Sequence, residues 1–407
     1  MRRVAITGIG ILSPIGNSLE AVLASLLGGK SGIRRMSEWD RIQGLRSLVA
    51  GVVDGIEPRL IERKHRRTMG RVAILAALAS QYAMADANLG ADDVASERTG
   101  VAMGSTTGSV PVLEHFFGSY LATGGILEQE GTNFMKIMGH TVASNVGTML
   151  GIRGRLIAPC SACASSTQAI GYGYEAIKDG YQDLMFCGGA DDLHPITAGV
   201  FDILHAASKN FNDAPHATPR PFDIRRDGLV VSEGGAVVVL EEYGRARGRG
   251  AKIYGEILGY GTCCDGRHMT SPNQEGMVRC MRAALDTAAI QYTDLDYINA
   301  HATGTDLGDA AECEAIKELI GDKVHVSSTK GYTGHTLAAC GAIELIFCLL
   351  MMKHGFIAPT LNLEEIDPVC RGIAHVQDKV DTDLDLVMTS NFAFGGVNAV
   401  LIVKKES

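Results

Sequence analysis

Four short segments hold residues able to do chemistry, and each follows a strand-like run. In Pro159-Cys160-Ser161-Ala162-Cys163-Ala164-Ser165-Ser166, Cys163 falls where a strand is expected to turn into a helix. A helix N-terminus supplies unpaired N–H groups and partial positive charge, which favour a thiolate and steady an oxyanion on a bound carbonyl. A buried structural thiol fits that segment equally well. In Asn299-Ala300-His301-Ala302-Thr303-Gly304-Thr305, a histidine ends a buried strand and small or hydroxylated residues follow. That points His301 into a pocket, although histidine is often a satisfied core residue.

The third segment, Ser328 to His335, carries Lys330 in small and apolar surroundings, and its His335 is expected to open a long helix to Lys353. A helix N-terminus disfavours an imidazolium, so His335 is expected neutral. Glu344 is the only charge inside that helix and needs a partner, Lys330 or a bound monovalent cation. The fourth, Asn391-Phe392-Ala393-Phe394-Gly395-Gly396-Val397-Asn398, reads as a glycine loop able to swing a Phe over a pocket, or as an ordinary strand-end turn. One Cys, two His and a Lys on separate strand ends match a nucleophile with two hydrogen-bonding groups.

The elements that must position them alternate. Strands are expected at Val4–Thr7, Gly100–Met103, Leu184–Cys187, Ala236–Leu240, Ile253–Leu258, Tyr297–Ala300, Val324–Val326 and Leu386–Thr389. Helices are expected from an Asn17 cap to Gly28, at Met69–Ala87, Ala164–Lys178, Gln274–Ala289 and His335–Lys353. Each half, 1–250 and 251–407, runs strand, reactive loop, strand, reactive residue, helix, strand, glycine loop. Alternation of this kind implies mostly parallel sheets with helices outside, an α/β layered body around a central helix pair.

The bulk composition narrows the rest. A net charge of −9 argues against nucleic acid as a partner. Hydrophobic residues at 46% and charged residues at 20% allow a large core and exclude disorder. The ten cysteines form neither a disulfide framework nor paired CxxC zinc spacing; Cys160 and Cys163 are one lone CxxC. No metal is expected, and the thiols suit a reducing cytoplasm. The longest apolar run, Leu345 to Met352, is too short for a bilayer, so no membrane is expected.

All four segments resemble those of the elongating β-ketoacyl-acyl carrier protein synthases, types I and II, and the likeness runs from Val4 to Asn398. Arg220-Pro221-Phe222-Asp223 with Arg226-Asp227-Gly228 is similar to another signature of that family, and the surroundings of Phe201 and Met351–Ile366 look closest to type I. The resemblance implies a thiolase-like α/β/α/β/α fold, a homodimer, and decarboxylative Claisen condensation in fatty acid elongation. It implies Cys163 as acyl-accepting nucleophile, and His301 and His335 as the pair that promotes malonyl decarboxylation. Lys330 and Glu344 would support His335, the N–H groups of Cys163 and Phe394 would form the oxyanion hole, and Phe394 would be the gate. Thr303 and Thr305 would hold the phosphopantetheine arm brought by acyl carrier protein, the implied partner, with no resident cofactor. Thr107, Phe201 and Phe392 would line the acyl pocket. The basic run Arg63 to Arg67 would dock the acidic carrier through Lys64 and Arg67, or be a solvated face.

Three positions depart from the family pattern: Ala302 and Ala393 stand where Gly is usual, and Val397 where Thr is usual. A methyl at a glycine hinge restricts φ, which points toward a specialised substrate. Other readings are a polyketide or aryl polyene ketosynthase, a non-catalytic chain-length partner in a heterodimer, and a thiolase. Cys163 speaks against the chain-length partner, and the absence of a Cys in 391–396 against the thiolase.

Overall fold

Val4–Leu12 (β1) is buried at every position, as a strand covered on both faces must be. In the computed structural model, which describes residues 1–127 and 129–406, it lies at the centre of an eleven-stranded sheet. The other strands are Thr99–Gly104 (β2), Leu156–Ile157 (β3), Leu184–Asp191 (β4), Gly234–Glu242 (β5), Gly255–Cys264 (β6), Tyr297–Asn299 (β7), His325–Ser327 (β8), Ala374–His375 (β9), Leu386–Ala393 (β10) and Val397–Lys405 (β11). Their order is β9-β8-β7-β10-β11-β6-β1-β5-β4-β2-β3.

The sheet is two copies of one topology. β2 runs parallel to β3 and β4, while β4 and β5, then β5 and β1, are antiparallel. β7 likewise runs parallel to β8 and β10, while β10 and β11, then β11 and β6, are antiparallel. The copies are joined where Val4–Ile6 pairs antiparallel with Gly255–Ile257. The layers are therefore hydrogen-bonded to one another through this short seam.

Six helices supply the other layers: Arg71–Asp86 (α1), Thr141–Leu150 (α2), Ser165–Lys178 (α3), Gln274–Ala288 (α4), Asp306–Leu319 (α5) and Cys340–His354 (α6). α1 and α2 cover the first copy, and α4 and α5 the second. α3 and α6 lie between, touching strands of both. All of Cys340–Met352 is buried, which explains a helix apolar on every face. The stretch Leu337–His354 is long and apolar enough to cross a membrane, yet 89% of it is buried inside the protein. Gly341 permits the close crossing: a Cβ there would stand 1.9 Å from Thr167 Oγ1 and 2.6 Å from Asn391 Oδ1.

Two local expectations fail. The first helix, Leu19–Leu27, is capped by Ser18, whose Oγ accepts from Ala21 N–H, while Asn17 turns away to donate to the Asp54 carbonyl. His335 does not open a helix. It precedes a 3-10 turn at Leu337–Ala339, and α6 begins at Cys340.

Candidate active site

Cys163 sits in a 3-10 turn, Ala162–Ala164, immediately before α3. Ala162 holds a φ of 45°, and Leu337 in the equivalent turn of the other copy holds 51°. A left-handed backbone at a residue with a Cβ costs about 1–2 kcal/mol. The packing of α3 and α6 sustains that strain and turns both reactive loops inward.

The thiol of Cys163 meets His335, with Sγ 2.9 Å from Nε2. Leu337 N–H donates to His335 Nδ1, so that nitrogen is an acceptor and the proton lies on Nε2, facing the sulfur. His301 is set the same way. Lys330 Nζ and Asn391 Nδ2 both approach its Nδ1, at 3.4 and 3.2 Å, which leaves Nε2–H as its other polar group. The two rings meet edge to face with centroids 5.2 Å apart. Burial, then the charge of Lys330, holds both imidazoles well below the ordinary histidine range, so both are neutral donors. The cause in His335 is therefore desolvation and Lys330, not the helix N-terminus expected from the sequence. Burial likewise pushes the Cys163 thiol up to about 12, with Lys330 and its own N–H pulling the other way. The resting group is a guarded thiol, and donation from His335 Nε2–H favours sulfur when negative charge develops on it.

Lys330 is fully buried and its ammonium contacts the Glu344 carboxylate. Burial opposes its charge, but Glu344, together with Cys340 and Glu312, outweighs burial and Lys330 is held above the usual lysine value. Asn391 Nδ2 completes the group at 2.8 Å from Glu344 Oε2. Of the partners expected for Glu344, the lysine is the one observed. Two nearby oxygens do lack partners: Asn299 Oδ1 and Thr389 Oγ1 are buried without a hydrogen bond, on residues paired across the neighbouring strands β7 and β10. Oxygen donors of this kind fit a weakly hydrated monovalent cation.

Carboxylates that the sequence reading passed over fix the loops. Glu312 on α5 accepts from His301 N–H at 2.8 Å and Ala302 N–H at 2.7 Å. Asp309, one turn earlier, accepts from Phe222 and Gly304 N–H. Asp191 ties Ala338 N–H to Thr106 N–H, joining the turn before α6 to the loop after β2. The i, i+3 spacing of Asp309 and Glu312 beside apolar Cys313 and Ile316 was the available signal: acids on the buried face of an amphipathic helix need partners.

These groups open into a cavity of about 400 Å³. Cys163, His301, His335, Thr303, Thr305, Phe201, Phe392 and Phe394 all line it. The Thr303 and Thr305 hydroxyls lie 3.1 Å apart. Phe394 is 38% exposed and stacks on Phe201, with centroids 5.8 Å apart. Thr107 does not join them. It is exposed in the loop after β2 and does not line the cavity. Lys64 and Arg67 are exposed at a short basic helix, Arg63–Arg66, with Lys64 paired to Glu62 at 2.8 Å. The gate keeps its flexible residues: Gly395 and Gly396 have φ of 88° and 70°. Ala302 and Ala393 have no positive φ, so their methyls carry no backbone strain.

A cysteine facing two donor imidazoles, on a duplicated sheet with a shared helix layer, marks a thiolase-like acyltransferase. Residues 1–246 match the model of the β-ketoacyl synthase N-terminal domain, and 254–364 that of the C-terminal domain. The chain belongs to the β-ketoacyl synthase family. It is 43% identical over 413 residues to 3-oxoacyl-[acyl-carrier-protein] synthase 1 of Haemophilus influenzae, covering 100% of this chain and 99% of that one. A β-ketoacyl synthase from Burkholderia phymatum superposes with a TM-score of 0.97 at 44% identity, with both chains fully covered. A polyketide ketosynthase solved with its acyl carrier protein, AntDE:AntF, superposes at 0.88 with 29% identity and full coverage of both chains.

Proposed function

We propose that the protein elongates acyl chains as a 3-oxoacyl-acyl carrier protein synthase of fatty acid synthesis. The observation that carries this is the pair of neutral Nε2–H donors converging beside Cys163. In the first half-reaction, Cys163 Sγ attacks the thioester carbonyl of an acyl carrier protein. The carrier thiol leaves with the proton, and the acyl chain stays on the sulfur. The N–H groups of Cys163 and Phe394 hold the oxyanion, and Thr303 and Thr305 hold the phosphopantetheine arm. In the second, malonyl carrier protein loses carbon dioxide. Nε2–H of His301 and of His335 stabilise the enolate oxygen without protonating the new carbanion, which neutral imidazoles do better than a strong acid. The carbanion attacks the Cys163 thioester, and the thiolate leaves. Lys330, Glu344 and Asn391 hold the two rings in register.

The arm comes with the carrier, docked by Lys64 and Arg67, so the chemistry needs no resident cofactor. A structural monovalent cation held by Asn299 Oδ1 and Thr389 Oγ1 would brace β7 against β10. A second copy of the chain is the occupant that best suits the apolar face of helix Val110–Thr123 and its neighbours, where Phe117, Tyr120, Leu121, Ile126 and Phe134 are exposed. Ten free thiols suit the reducing cytoplasm.

The test is intact-protein mass after incubation with acyl carrier proteins of graded chain length. An acyl adduct on the wild type, absent from Cys163→Ala, supports the reading. The absence of an adduct with every chain length would reject it.

A further inference from the structure

We infer, on the basis of the synthase reading, that Cys340 is a positioning residue: its thiol ties the turn that carries Cys163 to the side chains that hold His301. Cys340 is the first residue of α6 and is buried where α6 packs on α3. Its S–H donates to the Cys163 carbonyl, with Sγ 3.2 Å from the oxygen. The same sulfur accepts from Asn391 Nδ2 at 3.4 Å. The sulfur, a ring nitrogen of His301 and a carboxylate oxygen of Glu344 all lie within 4.8 Å of one another. One thiol therefore touches the backbone of the nucleophile and the amide that steadies His301.

The neighbours fix the direction of these bonds. Thr167 O–H donates to Asn391 Oδ1, which turns the amide so that Nδ2 faces the histidine group. One Nδ2 hydrogen goes to Glu344 Oε2 at 2.8 Å, and the other is shared between His301 Nδ1 at 3.2 Å and Cys340 Sγ. Sγ is the acceptor there, so its own proton is left for the Cys163 carbonyl. Burial, then the charge of Glu344, keeps the Cys340 thiol protonated and able to donate.

The carbonyl that Cys340 holds belongs to a strained turn. Ala162 has a φ of 45°, and such a backbone persists only where its surroundings fix it. Before Cys163, Ser165 does this: its Oγ accepts from Ser161 N–H at 2.9 Å and donates to the Ala162 carbonyl at 2.7 Å. After the Cys163 side chain, Cys340 holds the next carbonyl. Without that bond the turn can relax, and Sγ of Cys163 moves off its 2.9 Å contact with His335 Nε2. The effect falls on one half-reaction. Acyl transfer depends on how Cys163 meets His335, whereas decarboxylation depends on the two imidazoles. Asn391 keeps Glu344 and His301 as partners when the sulfur is removed.

The experiment compares the full-length wild type with Cys340→Ala and Cys340→Ser. Single-turnover formation of the Cys163 adduct from acyl carrier protein is followed by intact mass, and alkylation of Cys163 by iodoacetamide by peptide mass. Decarboxylation of malonyl carrier protein is measured on the same samples and reports that the site is intact. A buried hydrogen bond is worth about tenfold, so adduct formation and alkylation should each slow about tenfold in Cys340→Ala while decarboxylation keeps its rate. Cys340→Ser keeps an O–H donor and should recover most of both losses. Wild-type adduct formation and alkylation in Cys340→Ala would overturn the inference, as would an equal fall in decarboxylation, or a serine variant no faster than the alanine one. Alkylation needs no carrier protein. A wild type that takes no acyl chain therefore rejects the synthase reading, while the alkylation rates still decide the role of Cys340.

Discussion

Glu312→Ala removes both acceptors from the His301 and Ala302 backbone and leaves the imidazole itself unchanged. The carboxylate is fully buried and takes two short backbone hydrogen bonds, 2.8 and 2.7 Å. Each orphaned N–H costs about 1–3 kcal/mol, so the pair gives about 2–6 kcal/mol. Water from the adjoining cavity can reach this loop, which favours the lower half of that range. Against a total of about 5–15 kcal/mol, the protein stays folded. The kinetic effect is selective. His301 Nε2 shifts with its backbone, and a misplacement of about 1 Å costs about 10²-fold. Cys163 and His335 hang from other elements and keep their contact. Urea unfolding should therefore show a loss of about 2–4 kcal/mol. Decarboxylation of malonyl carrier protein should fall about 100-fold while acyl transfer to Cys163 changes little. Unfolding within about 0.5 kcal/mol of wild type, with decarboxylation unchanged, would refute the reasoning, because surface-like substitutions behave that way.

Lys330→Met strands the Glu344 carboxylate in the core and should cost about 3–5 kcal/mol by urea unfolding, while adding Glu344→Gln should restore much of it. Gly341→Ala drives a methyl into Thr167 and Asn391, and should lose about 1–3 kcal/mol in the same assay. Burial pushes Asp191 up to about 7 and Asp192 up to about 6. Unfolded carboxylates titrate near 4, so the native state binds the extra protons between those values. Stability from these groups is therefore present at pH 4 to 5 and declines as pH rises toward about 7, which a series of urea midpoints between pH 5 and 8 would show; Asp191→Asn should flatten the decline. Phe394→Ala removes the ring stacked on Phe201 and opens the cavity, so the acyl adduct on Cys163 should hydrolyse faster with little change in unfolding.

The sequence disclosed the strand–helix alternation and the two matching halves because buried strands and an all-apolar helix leave strong patterns. It disclosed the four reactive segments because Cys163, His301, Lys330 and the Asn391–Asn398 glycine loop each follow a strand-like run. The turns that aim them were hidden, since left-handed Ala162 and Leu337 carry no glycine to mark them. The same opacity placed His335 at a helix start that lies five residues later. Asp191 was missed because a carboxylate that satisfies backbone N–H groups far away in sequence has no local signature, whereas Glu312 did carry one in its i, i+3 spacing from Asp309 on a buried helix face. Thr107 was assigned to the cavity by resemblance alone, and in the single chain its loop faces outward.

The central claim is that the two histidines drive decarboxylation next to an acylated Cys163. The direct measurement is a single turnover: protein pre-acylated on Cys163 is mixed with malonyl carrier protein labelled at the free carboxyl, and labelled carbon dioxide and the adduct are followed together. The account predicts one carbon dioxide released per adduct consumed in the wild type, and an adduct that persists without carbon dioxide in His301→Ala. Consumption of the adduct by His301→Ala at the wild-type rate, or wild-type turnover without carbon dioxide release, would contradict it.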